Sequence, residues 1–323
     1  MMNNIIRWGV LGYARIARTQ LIPAILKDQH SEFYAIASRR SEQLEQCRAE
    51  FSPTRYYEGY DVLLDDPNVD AVYIPLPNAL HYPWTLKACS KKKHVLCEKP
   101  IAMCAAECRE MIEAARSNGV TLMEAFMYRY TDRTHKVQEI LASGRLGTLK
   151  YVYATWRFLL NRKNTIKEQA ALGGGSLFDV GPYPVNFLSL LTSQTPESVS
   201  AEAVMIGEVD VLFAGTVRYP DGLVAQISSG FNAFSRTHAE IIGDKGMLIV
   251  EDPFSGVSGE LILQTASGEE RIVVAESDRY ALEVAHFTSA LRGSGGTLLS
   301  LDESLHNTAL LERLREAAER HDH

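Results

Sequence analysis

Over the first 125 residues, short apolar runs alternate with stretches whose apolar positions recur at helical spacing. The runs at 5–11, 33–37, 55–57, 70–74, 94–97 and 120–125 are rich in β-branched and aromatic residues, which predicts strands buried in a parallel sheet. Helical patterns fill the intervals at 12–26, 41–51, 60–64, 80–90 and 102–118. Pro23 should break or kink the first, and Gly119 stands in the C-cap place of the last. Strand and helix in strict alternation predict a doubly wound parallel sheet with right-handed crossovers.

Past the segment Glu124-Ala125-Phe126-Met127-Tyr128-Arg129 the rhythm changes. A boundary near Ala125 therefore separates a Rossmann domain, 1–125, from a second domain, 126–323. The second begins with a helix over 134–142 and an edge-like strand over 149–158. A polar loop, 161–170, leads through Gly173-Gly174-Gly175 into a mostly apolar helix that runs from 177 to about 191. Within that helix Asp179 and Tyr183 are four apart and share a face. Apolar segments at 211–219, 223–231, 238–242 and 247–250 are joined by glycine-containing hairpin signals. Helices over 280–292 and 301–319 finish the chain. The expected fold is α/β, a doubly wound parallel sheet followed by an α+β domain whose large, mostly antiparallel sheet carries helices on one face. Its open face would want a partner, which points to a homodimer or homotetramer.

Composition narrows the function classes. A chain of 323 residues exceeds what one core usually fills, in keeping with two domains. Apolar content of 46% and charged content of 23% belong to a soluble globular protein. A net charge of -7 leaves no electrostatic footprint for nucleic acid. No apolar stretch approaches a membrane span, and Met1-Met2-Asn3-Asn4 lacks a basic segment followed by an apolar one, so the protein is expected in the cytosol. The five cysteines include no Cys-x-x-Cys and read as free thiols of a reducing compartment; no metal site is expected.

The candidate chemistry sits at the ends of the strands. Gly9-x-x-Gly12-x-Ala14-x-x-Ala17 is a variant of the dinucleotide fingerprint, with Ala14 in place of the usual glycine and Arg15 and Ile16 opening the helix. Ser38-Arg39-Arg40 stands where the fingerprint expects an acidic residue. Two guanidinium groups there suit a 2′-phosphate and predict NADP(H) over NAD(H), unless both are solvated residues ahead of a helix capped by Ser41. The loop Pro75-Leu76-Pro77-Asn78, after the fourth strand, is placed to flank the nicotinamide ribose, and His81 beyond it is either structural or part of the same site. Glu98-Lys99-Pro100 ends the fifth strand at the carboxyl edge, where open α/β sheets place their ligands.

Taken together and in this order, the glycine turn, Pro77-Asn78-x-x-His81, Glu98-Lys99-Pro100, Gly173-Gly174-Gly175 and Asp179-x-Gly181-x-Tyr183 make the chain resemble the glucose–fructose oxidoreductase and inositol dehydrogenase family (Gfo/Idh/MocA) over essentially its whole length. Many members have histidine where this chain has Tyr183. Tyrosine there resembles the branch of dimeric dihydrodiol dehydrogenases and NADP-dependent D-xylose dehydrogenases. The resemblance implies that Lys99 and Tyr183 are the catalytic pair, with Asp179 beside them, and that the cofactor is NADP. It implies a sugar or trans-dihydrodiol dehydrogenase, with a ketoreductase of a nucleotide-linked keto-sugar or a non-catalytic NADP-binding protein as alternatives. Trp156 and Arg157 join the cofactor candidates, while Tyr128, Arg129 and Arg162 join Lys99, Asp179 and Tyr183 as substrate candidates. Tyrosine titrates near 10 in isolation, so a neighbouring ammonium would be needed to make it a useful base.

Overall fold

The computed structural model describes residues 5–163 and 165–321. The chain divides into two compact units, one running to Met127 and including Tyr280–Ser304, the other comprising Tyr128–Arg279 and the chain from Leu305.

In the first unit six strands, β1 (Ile6–Leu11), β2 (Ser31–Ser38), β3 (Arg55–Glu58), β4 (Ala71–Ile74), β5 (His94–Glu98) and β6 (Leu122–Ala125), form a parallel sheet in the order β3-β2-β1-β4-β5-β6. The intervening helices are α1 (Ile22–Lys27), α2 (Ser41–Glu50), α3 (Tyr60–Asp65), α4 (His81–Ser90) and α5 (Ala105–Asn118). The order reverses beside β1, which is the switch point where such sheets hold ligands. Two details differ from the sequence reading. Pro23 does not break its helix, because the turn before it is a π turn, Ala17–Leu21, in which the Ile22 N–H reaches back to Ala17 O. That wider turn relieves the clash a proline makes in a regular helix. Arg40, not Ser41, is the cap residue of α2, and no side chain caps it. As expected, α5 ends at Gly119 in the left-handed region, φ 67°.

The second unit has eight strands: β7 (Leu149–Leu159), β8 (Ser198–Ile206), β9 (Val209–Arg218), β10 (Val224–Gly230), β11 (Asn232–Gly243), β12 (Gly246–Glu251), β13 (Gly259–Thr265) and β14 (Gly268–Val274). Their order is β14-β13-β12-β11-β7-β10-β9-β8. The expected edge strand is therefore interior: β7 pairs parallel with β10 and antiparallel with β11, the other pairs all being antiparallel. Its partners come from 60 or more residues later, beyond the reach of local pattern. The helices that follow α5 in the chain are α6 (Asp132–Ala142), α7 (Ser176–Asp179), α8 (Pro182–Leu191), α9 (Arg279–Leu291) and α10 (Leu301–His321).

Assigning all of 126–323 to the second domain also needs correction. From Tyr280, α9 packs in the first unit, where Phe287 lies 5.3 Å from the Trp8 ring and the Thr288 hydroxyl meets that of Ser31 at 2.9 Å. Trp8 and Phe287 are fully buried, and burying a side chain such as Phe287 contributes about 1.5–3 kcal/mol.

Candidate active site

Register in the parallel sheet brings the carboxyl ends of its strands to one edge, Ile74 opposite Cys97 and Glu98 opposite Ala125. At the end of β1, Gly12 has φ 96°, a conformation that admits glycine readily, and its N–H donates to Ala37 O at 2.7 Å. Gly9 lets α3 pack onto β1, since a Cβ there would lie 2.6 Å from Leu63 Cδ2. Ala14 and Ile16 are half-buried and Arg15 is exposed in the turn that follows.

At the end of β2 the buried Ser38 hydroxyl donates to Gln43 Oε1 at 2.7 Å and accepts from the Arg40 N–H at 3.0 Å, which shapes the turn. Arg39 and Arg40 emerge exposed from it. The Arg39 guanidinium lies 5.6 Å from the ring centre of Tyr60, which stacks edge-on against Trp84. Arg40 lines an open hollow with Ser41, Glu42, Gln43, Glu45 and Gln46. Glycine turn and guanidinium pair together fit a dinucleotide with a phosphate on its adenosine ribose.

Pro75 and Leu76 are buried after β4, while Pro77 and Asn78 are half-buried. His81 is fully buried, its Nδ1 2.8 Å from Pro100 O and its Nε2 2.8 Å from Leu76 O. Burial pushes its pKa down to about 4, with the Lys99 charge acting the same way and the two carbonyls opposing. The neutral ring has one N–H, which donates to one of these two carbonyls, and both of its contacts are with backbone, a structural use of the ring. After β5, Glu98 accepts a hydrogen bond of 2.5 Å from the Tyr73 hydroxyl and one of 3.3 Å from the Lys99 N–H. Lys99 is half-buried and precedes Pro100 through a cis peptide bond.

The second unit holds the other candidates. Asp179 and Tyr183 do not share one continuous helix: α7 ends at Asp179 and α8 begins at Pro182, with Val180 and Gly181 between. Pro182 supplies no N–H to continue the first helix, and Gly181 allows the crowded junction, where a Cβ would lie 2.4 Å from Leu177 O. Tyr183, 5% exposed in the first turn of α8, packs 4.3 Å from Trp156, 5.6 Å from Phe254 and 6.2 Å from Tyr128, centre to centre. Trp156 and Phe254 are stacked, 5.5 Å apart and 2° from parallel. The Tyr128 hydroxyl donates to Asn186 Oδ1 at 2.6 Å, as does Arg129 at 3.2 Å. Asp179 is ion-paired with Lys167, whose ammonium also lies about 5.5 Å from the Phe158 and Phe231 rings. Arg162 is exposed.

Consecutive on β7, Trp156 and Arg157 point to opposite faces of the sheet. Trp156 shares the face of Tyr183, whereas Arg157 lies on the other, so the two side chains do not serve one contact together. Lys167, Asn186, Phe254 and Glu124 escaped the sequence reading. A lone buried Asn in an apolar helix and a lone Glu in an apolar strand were signals for two of them; Lys167 and Phe254 carried none.

A family model described as an oxidoreductase family with an NAD-binding Rossmann fold matches residues 6–126, and a GFO/IDH/MocA C-terminal domain matches residues 134–249. The chain belongs to the Gfo/Idh/MocA oxidoreductase family. It is 33% identical to dTDP-3,4-didehydro-2,6-dideoxy-alpha-D-glucose 3-reductase of Streptomyces violaceoruber, over 90% of this chain and 86% of that protein. To D-xylose 1-dehydrogenase (NADP(+)) 2 of Haloferax volcanii it is 32% identical, over 97% of each. Its fold matches the crystal structure of KijD10, a 3-ketoreductase from Actinomadura kijaniata in complex with NADP and TDP-benzene, with a TM-score of 0.92 and 29% identity over 97% of this chain and 98% of that one. That ketoreductase has also been solved as variants of a lysine and of a tyrosine, and the two lie as far apart in its chain as Lys99 and Tyr183 do here. The protein is an oxidoreductase.

Proposed function

We propose that this protein is an NADP(H)-dependent oxidoreductase that converts a secondary alcohol or lactol of a sugar-like or diol substrate to the carbonyl compound, or the reverse. The observation that carries the reading is the Lys99 and Tyr183 pair, whose separation equals that of the lysine and tyrosine varied in the ketoreductase. Arg39 and Arg40, exposed at the end of β2, support the choice of NADP(H).

When bound, the nicotinamide accepts or returns the hydride. Tyr183 takes the hydroxyl proton in oxidation and gives it back in reduction. Lys99 supplies the positive charge that makes a phenol useful near neutral pH and polarises the substrate oxygen. Asp179, held by Lys167, binds a substrate hydroxyl. The aromatic wall of Trp156, Phe254 and Tyr128 fixes the Tyr183 ring and keeps water from it. Tyr128, Arg129 and Arg162 are read as substrate contacts, and Pro75 to Asn78 and Glu98 to Pro100 as cofactor contacts. A second reading, reduction of a nucleotide-linked keto-sugar, is supported by the two ketoreductases among the relatives. Phe234, 92% exposed on β11 of the eight-stranded sheet, is read as part of a homo-oligomer surface. Free thiols at all five cysteines accord with a cytosolic location.

The test is a screen of aldoses and trans-dihydrodiols with NADP⁺, and of nucleotide-linked keto-sugars with NADPH, in wild type and Lys99→Met. Turnover lost in the variant supports the reading. Equal turnover in both proteins removes Lys99 from the chemistry, and no turnover with any substrate overturns the proposed substrate classes.

A further inference from the structure

Three segments of the first unit converge beside the glycine turn. The Gly12 N–H donates to Ala37 O at 2.7 Å and the Gly59 N–H donates to Ser38 O at 3.0 Å. The turn after β1 and the start of α3 are thus both tied to the end of β2, from which Arg39 emerges exposed. Tyr60 is the first residue of α3 and meets the other two segments with its side chain. Its hydroxyl lies 3.6 Å from the place a Cβ on Gly12 would take, and its ring centre lies 5.6 Å from the Arg39 guanidinium.

Tyr60 is only 6% exposed, yet it carries a polar group. Among the described residues no hydrogen bond engages its hydroxyl. Phenylalanine would pack equally well edge-on against Trp84, whose ring centre is 4.8 Å away, and would bring no hydroxyl in need of a partner. What the hydroxyl adds is a donor aimed at the turn where a dinucleotide places its pyrophosphate. The ring acts separately, since its electron-rich face attracts the guanidinium and holds it before any phosphate arrives.

We propose that Tyr60 is a further cofactor-binding residue, whose hydroxyl donates to the pyrophosphate of the dinucleotide and whose ring seats Arg39 for the 2′-phosphate. The proposal rests on the reading of the glycine turn and Arg39 as the NADP(H) site. It divides one side chain into two contributions: the hydroxyl serves NADPH and NADH alike, and the ring serves NADPH alone.

Calorimetric titration of the full-length protein with NADPH and with NADH, in the absence of substrate, reads both contributions. Tyr60→Phe keeps the ring, so both dinucleotides should bind about tenfold more weakly while the preference for NADPH stays at its wild-type value. Wild-type affinity for both overturns the role of the hydroxyl. In Tyr60→Leu the ratio of NADPH to NADH affinity should also fall, by about twofold to fivefold. Pentafluorophenylalanine at position 60 keeps the size of the ring and removes its electron-rich face, so it should lower the ratio likewise even if Tyr60→Leu does not fold. An unchanged ratio overturns the seat. In an Arg39→Ala background the loss of the ring should leave the ratio where Arg39→Ala alone puts it, and a further fall shows that the ring does not act through Arg39 and also overturns the seat. A tyrosine that merely fills space would lower Tm without separating the two dinucleotides. Wild type that binds neither dinucleotide overturns the cofactor reading and the proposal together; wild type that binds both, with Tyr60→Phe binding them as tightly, overturns the hydroxyl contact alone.

Discussion

Replacing Arg39 by alanine should convert a protein that prefers NADPH into one that hardly distinguishes it from NADH. Arg39 is exposed after β2 and its guanidinium rests 5.6 Å from the Tyr60 ring centre, against an aromatic itself held by Trp84. That contact holds the planar donor fork in place, so little side-chain freedom is lost when a phosphate arrives. A hydrogen bond to a charged group contributes about 1.5–3 kcal/mol, and solvent at an exposed site favours the lower part of that range. With tenfold for each 1.4 kcal/mol, NADPH binding should weaken about tenfold to thirtyfold in Arg39→Ala. NADH, which has no phosphate there, should change less than about twofold. Arg39→Lys keeps the charge without the fork and should fall between. Titrating each dinucleotide against tryptophan fluorescence at low and high salt measures both affinities, and the NADPH preference should shrink with salt. An NADH-to-NADPH affinity ratio that is the same in wild type, Arg39→Ala and the Arg39→Ala/Arg40→Ala double variant would refute the reasoning.

Three further outcomes are expected. Tyr183→Phe keeps the aromatic packing around a ring only 5% exposed, so thermal stability should hold while kcat falls about a hundredfold or more; an unchanged kcat rejects the proton-transfer role. Gly12→Ala forces a side chain into φ 96° with its Cβ 3.2 Å from Leu76 Cδ2, costing about 1–2 kcal/mol, and both a lower Tm and weaker NADPH binding should register it. Glu124→Gln tests linkage: the native carboxyl, raised from 4.5 to about 7, keeps a proton that the unfolded chain releases, so wild-type stability falls as pH rises across that window, by at most about 3 kcal/mol. The Tm of the variant relative to wild type should therefore rise from pH 5 to pH 8, and an equal difference at both pH values contradicts the buried titration.

Much of the first unit was legible because its signals are local. Buried parallel strands read as apolar runs, a glycine with positive φ marks the turn after β1, Gly119 marks the end of α5, and Lys99 follows from its place at a strand end. Each depends on neighbours a few positions away, where steric and hydrogen-bonding constraints on the backbone act directly. Strands β8, β13 and β14 had weaker signals: β8 and β14 are at the edges of their sheet and bury one residue each, Ala201 and Val274. What only the tertiary structure decided is how distant segments meet. It put β7 in the interior by pairing it with β10 and β11, returned α9 to the first unit through Phe287 and Trp8, and set Trp156 and Arg157 on opposite faces. It also separated Asp179 from Tyr183 at a helix break and placed Glu124 on the peptide beside Lys99. Burial and pairing of this kind depend on which surfaces remain uncovered once local elements have formed, and one-dimensional spacing carries no term for that.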